Sequence, residues 1–154
     1  MMKLVKIYVD GSCIKNPGPG GLGVFLKYKN YKKIFKKGFY LTTNNRMELM
    51  AAIEGLKLLK KSCKVKIITD SKYLKLGISI WIEKWKKKKW KTIKRKKIKN
   101  LDLWKKLNKI KKKHKINCVW IRGHSGNYEN EICDKLAKSA AKDPNFVDYK
   151  YIKK

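Results

Sequence analysis

The sequence has few acidic residues and almost no arginine. It contains 11 Asp and Glu against 42 Lys and Arg in 154 residues, a formal net charge of +31, and only three of the basic residues are arginines. Such an excess of positive charge favours a polyanionic partner, most often nucleic acid. An AT-rich genome, which favours lysine codons, is the alternative explanation, and charge alone does not decide between the two.

Other scarcities exclude whole classes of protein. The longest stretch without a charged residue, Asn16 to Leu26, has 11 residues interrupted by glycine and proline, which is too short to span a bilayer. Lys6 interrupts the region where a secretion signal needs an apolar run. The four cysteines are widely spaced and form no CxxC pair, which argues against a zinc site or a disulfide framework. We therefore expect a reduced, cytoplasmic protein that is not inserted in a membrane.

The apolar content of 43% is enough for the core of one domain, which we expect to span residues 1–154. Three segments rich in β-forming residues, Leu4–Val9, Leu22–Tyr28 and Ile34–Leu41, predict an antiparallel meander. Between the first two, glycine and proline predict a turn over Asn16–Gly21.

The remainder of the chain alternates between helix and strand. We predict helices over Arg46–Lys60, Leu101–Lys113 and Glu129–Lys142, a further helix capped at Asp70-Ser71, and strands over Val65–Thr69 and Ile116–Ile121. Because a helix connects the meander to the strand at Val65, that strand is expected to run parallel to the first. The prediction is an α/β fold with a mixed five-stranded sheet, three strands antiparallel and then two parallel, flanked by helices.

One segment, from about 81 to 100, is unusually basic and forms a predicted basic protrusion. It carries a net charge of +10 in 20 residues and contains Trp81, Trp85 and Trp90. Trp81 and Trp85 are four residues apart, as on one face of a helix, which favours packing in the core. The density of the lysines around them favours an element that contacts phosphates.

The positions of the scarce acidic residues predict a site. Asp10 and Asp70 each end a predicted strand, and Glu48 lies near the start of the helix that connects those strands. Singly, each has an ordinary explanation as a turn residue, a helix cap or a first-turn glutamate. Because parallel neighbouring strands end at the same sheet edge, the three together predict a carboxylate cluster, which binds a hard cation such as Mg²⁺.

Five motifs lie in order along the chain. They are Asp10–Cys13, Asn16–Gly21, Thr42–Leu49, Thr69–Ser71 and Gly123–Gly126, the last followed by Asn130-Glu131 and Asp134. Their content and order resemble the type 1 ribonuclease H family, bacterial branch, over nearly the whole chain. The basic protrusion is similar to one found in bacterial members.

The resemblance implies a ribonuclease H-like fold and an endonuclease. The expected reaction is hydrolysis of the RNA strand of an RNA–DNA hybrid, without sequence specificity, leaving 5′-phosphate and 3′-hydroxyl ends. Asp10, Glu48, Asp70 and Asp134 would hold two Mg²⁺ ions, with Mn²⁺ as a substitute, and His124 would assist proton transfer or product release. We expect a monomer with no obligate protein partner.

The resemblance also implies the contacts with nucleic acid. Residues expected to line the minor groove of the hybrid, where the 2′-hydroxyl is read, are Gly11, Ser12, Cys13, Asn16, Asn44 and Asn45. Thr43 and Asn100 would hold a phosphate of the DNA strand. Further phosphate contacts are expected from the protrusion and its surroundings, namely Lys72, Trp81, Lys84, Lys86, Lys87, Lys88, Lys89 and Lys91.

Two positions depart from the pattern of the family. Leu41 stands where an arginine would complete the phosphate pocket with Thr43, and Lys72 replaces a glutamine beside Asp70. Both affect binding rather than catalysis. The chain begins almost directly at the first strand, so we expect it to lack the extra hybrid-binding module of eukaryotic relatives.

Two other functions remain as alternatives. A transposase-like or junction-resolving nuclease could use the same scaffold, although the segment Thr42–Asn45 argues against it. A nucleic-acid binding protein without catalysis would not need four such carboxylates in a chain this poor in acids. Comparing the cleavage of a hybrid with that of duplex DNA separates the first alternative, and the absence of any cleaved product with Mg²⁺ would indicate the second.

Overall fold

A computed structural model describes residues 2–91 and 97–153. In this part of the chain, one mixed sheet has the strand order β3-β2-β1-β4-β5. The strands are β1 (Leu4–Cys13), β2 (Gly18–Tyr28), β3 (Tyr31–Thr42), β4 (Lys64–Thr69) and β5 (Lys115–Trp120). The first three pair antiparallel, and β4 pairs parallel to both β1 and β5. The predicted meander and parallel strands are confirmed.

Helices cover both faces of this sheet. They are α1 (Asn44–Lys57), α2 (Lys72–Leu76), α3 (Ile82–Lys87), α4 (Leu101–Lys111), α5 (Tyr128–Lys142) and α6 (Tyr149–Ile152), with a π-helical turn at Gly77–Trp81. Side-chain oxygens of Thr43, Ser71 and Asn127 accept the backbone N–H three residues ahead and so cap α1, α2 and α5. Among the described residues, no helix combines the length and the apolar character that crossing a bilayer requires.

The predicted turn over Asn16–Gly21 is wrong in its second half, because β2 begins at Gly18. Gly21 and Gly23 of this strand allow its close packing against α5. A Cβ atom on Gly21 would overlap the carbonyl oxygen of Ala137, and one on Gly23 would overlap that of Cys133. Glycine in a strand therefore marks the approach of another backbone here rather than a change of chain direction.

The main core lies between the sheet and the pair α1 and α4. Ile7, Leu49, Ile67 and Leu107 are fully buried in it. On the opposite face, α5 covers a smaller cluster that includes Tyr8 and Cys133. The strand ends that carry Asp10 and Asp70 therefore emerge between two packed layers, which hold their backbones in place.

The tryptophans of the basic segment pack as predicted. Trp81, Trp85 and Trp90 are half-buried against the main core, and the ring centroids of Trp81 and Trp85 lie 6.2 Å and 5.5 Å from that of the buried Trp104. The lysines between them are exposed, namely Lys84, Lys86, Lys87, Lys88, Lys89 and Lys91. The part of the predicted protrusion that holds Lys94, Arg95 and Lys96 lies outside the described residues.

Candidate active site

Three carboxylates meet at the carboxyl edge of the sheet. One oxygen each from Asp10, Glu48 and Asp70 lies within 4.8 Å of the other two. Asp10 belongs to β1, Asp70 directly follows β4, and Glu48 sits in the first turns of α1. Strand ends and a helix start, separated by up to 60 residues of sequence, thus form one acidic site.

The approach of α1 to β1 depends on Gly11. A Cβ atom at this position would lie 2.6 Å from the backbone nitrogen of Glu48 and 2.8 Å from Met47, closer than side chains tolerate. Glycine therefore allows the first turns of α1 to lie against β1, which brings Glu48 beside Asp10. The Gly11 N–H also donates to Asp10 Oδ1 at 2.9 Å, fixing that carboxylate.

Burial makes the cluster electrostatically unfavourable without a cation. Burial, together with the charges of Asp70 and Asp134, raises the pKa of Asp10 to about 7. Burial and the charge of Asp10 raise the pKa of Glu48 well above its ordinary value. Glu48 Oε2 is buried and has no hydrogen-bond partner among the described residues. An unpartnered carboxylate oxygen beside two others fits a hard divalent cation, which takes oxygen ligands.

Asp134 and His124 lie at the border of this cluster. Asp134, in the second turn of α5, is outside the group of three, and its Oδ2 accepts from Lys138 Nζ at 3.0 Å. Its charge still raises the pKa of Asp10, so it acts on the site. His124 is exposed on the loop before α5, with a positive φ of 53°. Burial raises the pKa of Asp70, and the charge of His124 opposes that shift.

The residues expected to read the hybrid lie together at the start of α1. Asn16 Oδ1 accepts the Asn44 N–H at 2.9 Å, and Cys13 Sγ lies 3.5 Å from the carbonyl oxygens of Gly18 and Thr42. Asn45 is exposed beside them. These contacts join the end of β1, the β1–β2 turn and α1 into one polar surface next to Asp10.

Thr43 and Asn100 line one concavity of about 640 Å³. Leu41, which is 41% exposed, is not part of its wall and offers no charge. Lysines supply positive charge there instead, from Lys97, Lys99 and Lys150. The Thr43 hydroxyl accepts the Arg46 N–H at 3.2 Å and keeps its own proton for another acceptor.

Sequence reasoning missed the role of Arg46, which is 2% exposed. Its guanidinium donates to both oxygens of Asp102, at 2.9 and 2.7 Å, and to both oxygens of Asp148, at 2.7 and 3.1 Å. It also reaches Asn100 Oδ1 at 3.3 Å, while Asn100 Nδ2 donates to the Tyr73 hydroxyl at 3.0 Å. Arg46 therefore orients Asn100. The signal in the sequence that could have indicated this role is an arginine within the motif Thr42–Leu49, in a chain that has few acidic residues to pair with it.

Lys72, the second departure from the family pattern, lies over the ring of Trp120. Its Nζ is 5.1 Å from the ring centroid, and Trp120 Nε1 donates to the backbone oxygen of Asp70 at 2.9 Å. The exposed ammonium of Lys72 is therefore held near the strand end that carries Asp70.

A buried carboxylate cluster at the edge of a mixed sheet, with a polar and basic surface beside it, is the arrangement of a metal-dependent nuclease. The family model for RNase H matches residues 2–142. Ribonuclease H of Buchnera aphidicola subsp. Schizaphis graminum is 55% identical over 98% of this chain and 94% of its own, and that of Salmonella arizonae is 52% identical over 98% and 97%. The chain belongs to the ribonuclease H family.

Solved structures agree with this assignment. LC9-RNase H1, described as a type 1 RNase H with the type 2 active-site motif, has a TM-score of 0.85 and 30% identity and covers 99% of this chain and 81% of its own. LC11-RNase H1 in complex with an RNA/DNA hybrid has a TM-score of 0.69 and 22% identity and covers 90% of this chain and 96% of its own. At that identity the second likeness concerns the fold alone.

Proposed function

We propose that this protein is an endonuclease that hydrolyses the RNA strand of RNA–DNA hybrids without sequence specificity. The observation that carries the proposal is the buried cluster of Asp10, Glu48 and Asp70, with its unpartnered Glu48 oxygen, in a chain of the ribonuclease H family. Folding that cluster is unfavourable unless a ligand neutralises it, and divalent cations are the ligands that its oxygens accept.

Asp10, Glu48, Asp70 and Asp134 would hold the cations, which we propose to be two Mg²⁺ ions, with Mn²⁺ as a substitute. When bound, such ions supply an activated water and stabilise the charge of the leaving oxygen. Gly11 and the two packed layers hold the carboxylate oxygens in place. His124 carries a proton or assists product release from its exposed position beside Asp70.

Substrate choice would come from the polar surface at the start of α1. We propose that Gly11, Ser12, Cys13, Asn16, Asn44 and Asn45 contact the minor groove, where the 2′-hydroxyl distinguishes RNA from DNA. Thr43 and Asn100 hold a phosphate of the DNA strand, with lysines of their concavity replacing the charge that Leu41 lacks. The exposed lysines from Lys84 to Lys91 follow the same strand, and Trp81 fixes their helix by packing.

We further propose that residues 1–154 act as one domain, as a monomer in the cytoplasm. The core shared by the sheet, α1 and α4 supports the single domain. The spacing of the cysteines, all four of them free, supports a reducing compartment.

The test is cleavage of an end-labelled RNA–DNA hybrid with Mg²⁺ and with a chelator. We expect internal cuts in the RNA strand only, and only with the metal. A hybrid with one deoxynucleotide in its RNA strand should resist cutting around that position, because no 2′-hydroxyl is present there for the protein to bind. Efficient cutting of duplex DNA would contradict the proposal and favour a transposase-like nuclease, and metal-dependent binding without cuts would favour a binding protein.

A further inference from the structure

The short helix α6 forms part of the wall of the concavity that contains Thr43 and Asn100. Lys150 of α6 lines this concavity, which has a volume of about 640 Å³, together with Thr43 and Asn100. The three residues come from distant parts of the chain, since Thr43 precedes α1, Asn100 precedes α4 and Lys150 lies in α6. The concavity is therefore complete only while α6 is docked beside the start of α1.

A buried carboxylate docks α6 in this position. Asp148 precedes α6 and is 4% exposed, and its Oδ2 accepts hydrogen bonds from the Thr42 hydroxyl at 2.8 Å and from Arg46 Nε at 2.7 Å. Asp148 Oδ1 accepts the backbone N–H of Tyr151 at 3.3 Å and so caps α6. One carboxylate thus joins β3, α1 and α6, and Asp148 determines where α6 lies relative to α1.

The concavity gains no free positive charge from Arg46. The Arg46 guanidinium is paired with the carboxylates of Asp102 and Asp148, and one positive charge against two negative charges leaves this group at −1. Leu41 does not line the concavity and carries no charge. A phosphate entering beside Thr43 would therefore be repelled by the Arg46 group unless lysines of the wall outweigh it.

Lys150 is a wall lysine whose charge is not neutralised. It is exposed, and within residues 2–91 and 97–153 no ion pair involves it. Both oxygens of the nearby Asp148 are already occupied by other donors. Lys97 and Lys99 contribute positive charge from the residues before Asn100. Lysine, threonine and asparagine side chains commonly contact the phosphate oxygens of nucleic acid, so the wall offers the donors of a phosphate site, one of them from α6.

We propose that α6 is part of the hybrid-binding surface. Lys150 contacts the DNA-strand phosphate that Thr43 and Asn100 hold, and Asp148 is the residue that positions Lys150 there. This assignment, which rests on the proposed function, supplies from α6 the positive charge that Leu41 does not supply. The phosphate and the docked helix complete the same site, so binding of the hybrid and docking of α6 should stabilise each other.

The experiment uses end-labelled RNA–DNA hybrids in which one DNA-strand phosphate at a time is replaced by an uncharged methylphosphonate. With Mg²⁺, each replacement should slow cuts in the RNA strand at a few fixed distances from it, one distance for each phosphate that the protein contacts. The variant is Lys150→Gln. The matched control, Lys153→Gln, removes the same charge from an exposed residue that follows α6 and does not line the concavity.

On the unmodified hybrid, Lys150→Gln should raise KM about threefold to tenfold and leave kcat unchanged, since substrate and transition state lose the same contact. The slope of log K against log salt should become shallower by about 0.9, the value for one phosphate. The slowing caused by a methylphosphonate should shrink at least about twofold, at one distance only, because the lysine that distinguishes a charged from an uncharged group is absent. Lys150→Arg should behave as the unsubstituted protein, and Lys153→Gln should change KM less than about twofold.

Asp148→Asn tests the positioning of Lys150. It should raise KM for the hybrid by about the same factor as Lys150→Gln without lowering kcat, and the double variant should be little worse than either, because Lys150 is then no longer held at the concavity. A second measurement keeps the test valid if this variant does not fold. In the unsubstituted protein with a chelator, hybrid binding should slow hydrogen exchange of the Tyr151 and Ile152 amides, which donate to the Asp148 carbonyl oxygen.

Four outcomes overturn the proposal. An equal rise in KM in Lys150→Gln and Lys153→Gln would mean that only net charge matters, and an unchanged methylphosphonate pattern in Lys150→Gln would mean that Lys150 contacts no phosphate. Additive effects in the double variant would mean that Asp148 does not position Lys150, and unchanged exchange of the α6 amides would mean that docking and binding are not linked. If the unsubstituted protein made no cut in the RNA strand, the proposed function would be contradicted instead, and hybrid binding in a chelator would still measure the role of Lys150.

Discussion

The two ends of β1 carry opposite charges on one face of the sheet. At one end, Asp10 and Glu48 are 5% and 4% exposed and crowd a third carboxylate. At the other end, Lys6 is exposed and stands between Lys27 and Lys66. Like charges therefore repel one another at both ends, inside the protein at the carboxylate end and in water at the lysine end.

Burial determines how strong the repulsion is at each end. In a medium of low dielectric, like charges interact strongly and burial itself disfavours ionisation, so the pKa of Asp10 rises to about 7. Between exposed lysines, water and salt weaken the interaction. The buried end therefore requires a compact cation in a fixed position, whereas the exposed end carries its charges in solvent.

The largest effect is expected at the buried end, for Asp10→Asn. Replacing the carboxylate removes a cation ligand, and cleavage of the hybrid should fall on the order of 10³-fold or more. Binding of the hybrid should change little, because most phosphate contacts come from distant lysines. Asp143→Asn, an exposed position after α5, is the matched control and should retain full activity. Substantial Mg²⁺-dependent activity in Asp10→Asn would contradict the proposed metal site.

The convergence of these acids could be predicted because strand ends are visible in the sequence. Segments rich in β-forming residues located β1 and β4, and parallel pairing then required Asp10 and Asp70 to share an edge. The network of Arg46 could not be predicted in this way. Its partners Asp102 and Asp148 are 56 and 102 residues away, and nothing in local periodicity relates them.

The start of β2 shows a second limit of sequence reasoning. Gly18 and Gly21 have the composition of a turn, and only the backbone of α5, which lies more than 100 residues later, gives Gly21 its reason for being in a strand there. A row of lysines at the other end of these strands, called the lysine row, likewise emerges from the register of four strands. Its members are Lys6, Lys27, Lys32 and Lys66. Each lysine alone is an ordinary surface residue, and pairing across the sheet makes them neighbours of like charge.

A second expectation concerns the pH dependence of stability without metal. The pKa of Asp10 is about 7 in the folded protein against an ordinary value of 3.8, so the folded state binds more protons than the unfolded state between those values. Its free energy of unfolding should therefore fall as pH rises from about 4 to about 7, by on the order of 2 kcal/mol between about pH 5 and about pH 8.

Urea unfolding in a chelator measures this effect. Asp10→Asn should lose much of the pH dependence and be the more stable protein at high pH, because it cannot ionise. Adding Mg²⁺ to the unsubstituted protein should restore stability at high pH. An identical pH dependence in both proteins would mean that the repulsion at the buried end is weak.

A smaller effect is expected from exposed lysines of the basic protrusion. Replacing Lys86–Lys89 by alanine should raise KM for the hybrid about tenfold and leave kcat nearly unchanged, the pattern expected when substrate and transition state are bound less tightly by the same amount. The slope of log K against log salt should become shallower by about 0.9 for each phosphate that is no longer neutralised. Steady-state kinetics at several salt concentrations measure both quantities.

The matched control replaces four exposed lysines at the far ends of α1 and α4 by alanine. These lysines are Lys60, Lys61, Lys112 and Lys113. This control has the same net charge as the protrusion variant, so an equal rise in KM would show that overall charge rather than the protrusion governs affinity. A fall in kcat in the protrusion variant would show that its lysines affect the reacting groups.

The smallest effect tests the exposed end of β1 directly. Lys6→Gln removes the centre of the lysine row, so the free energy of unfolding should rise by about 0.2–1 kcal/mol in dilute buffer, the size of a cross-strand pair. In about 1 M NaCl the Debye length is about 3 Å, shorter than the spacing of the strands, and the gain should disappear. The gain from Asp10→Asn should survive there, since buried charges are screened far less. A stabilisation by Lys6→Gln that persists in high salt would mean that repulsion is not what Lys6 contributes, and the contrast between the two ends of β1 would then rest on burial of the carboxylates alone.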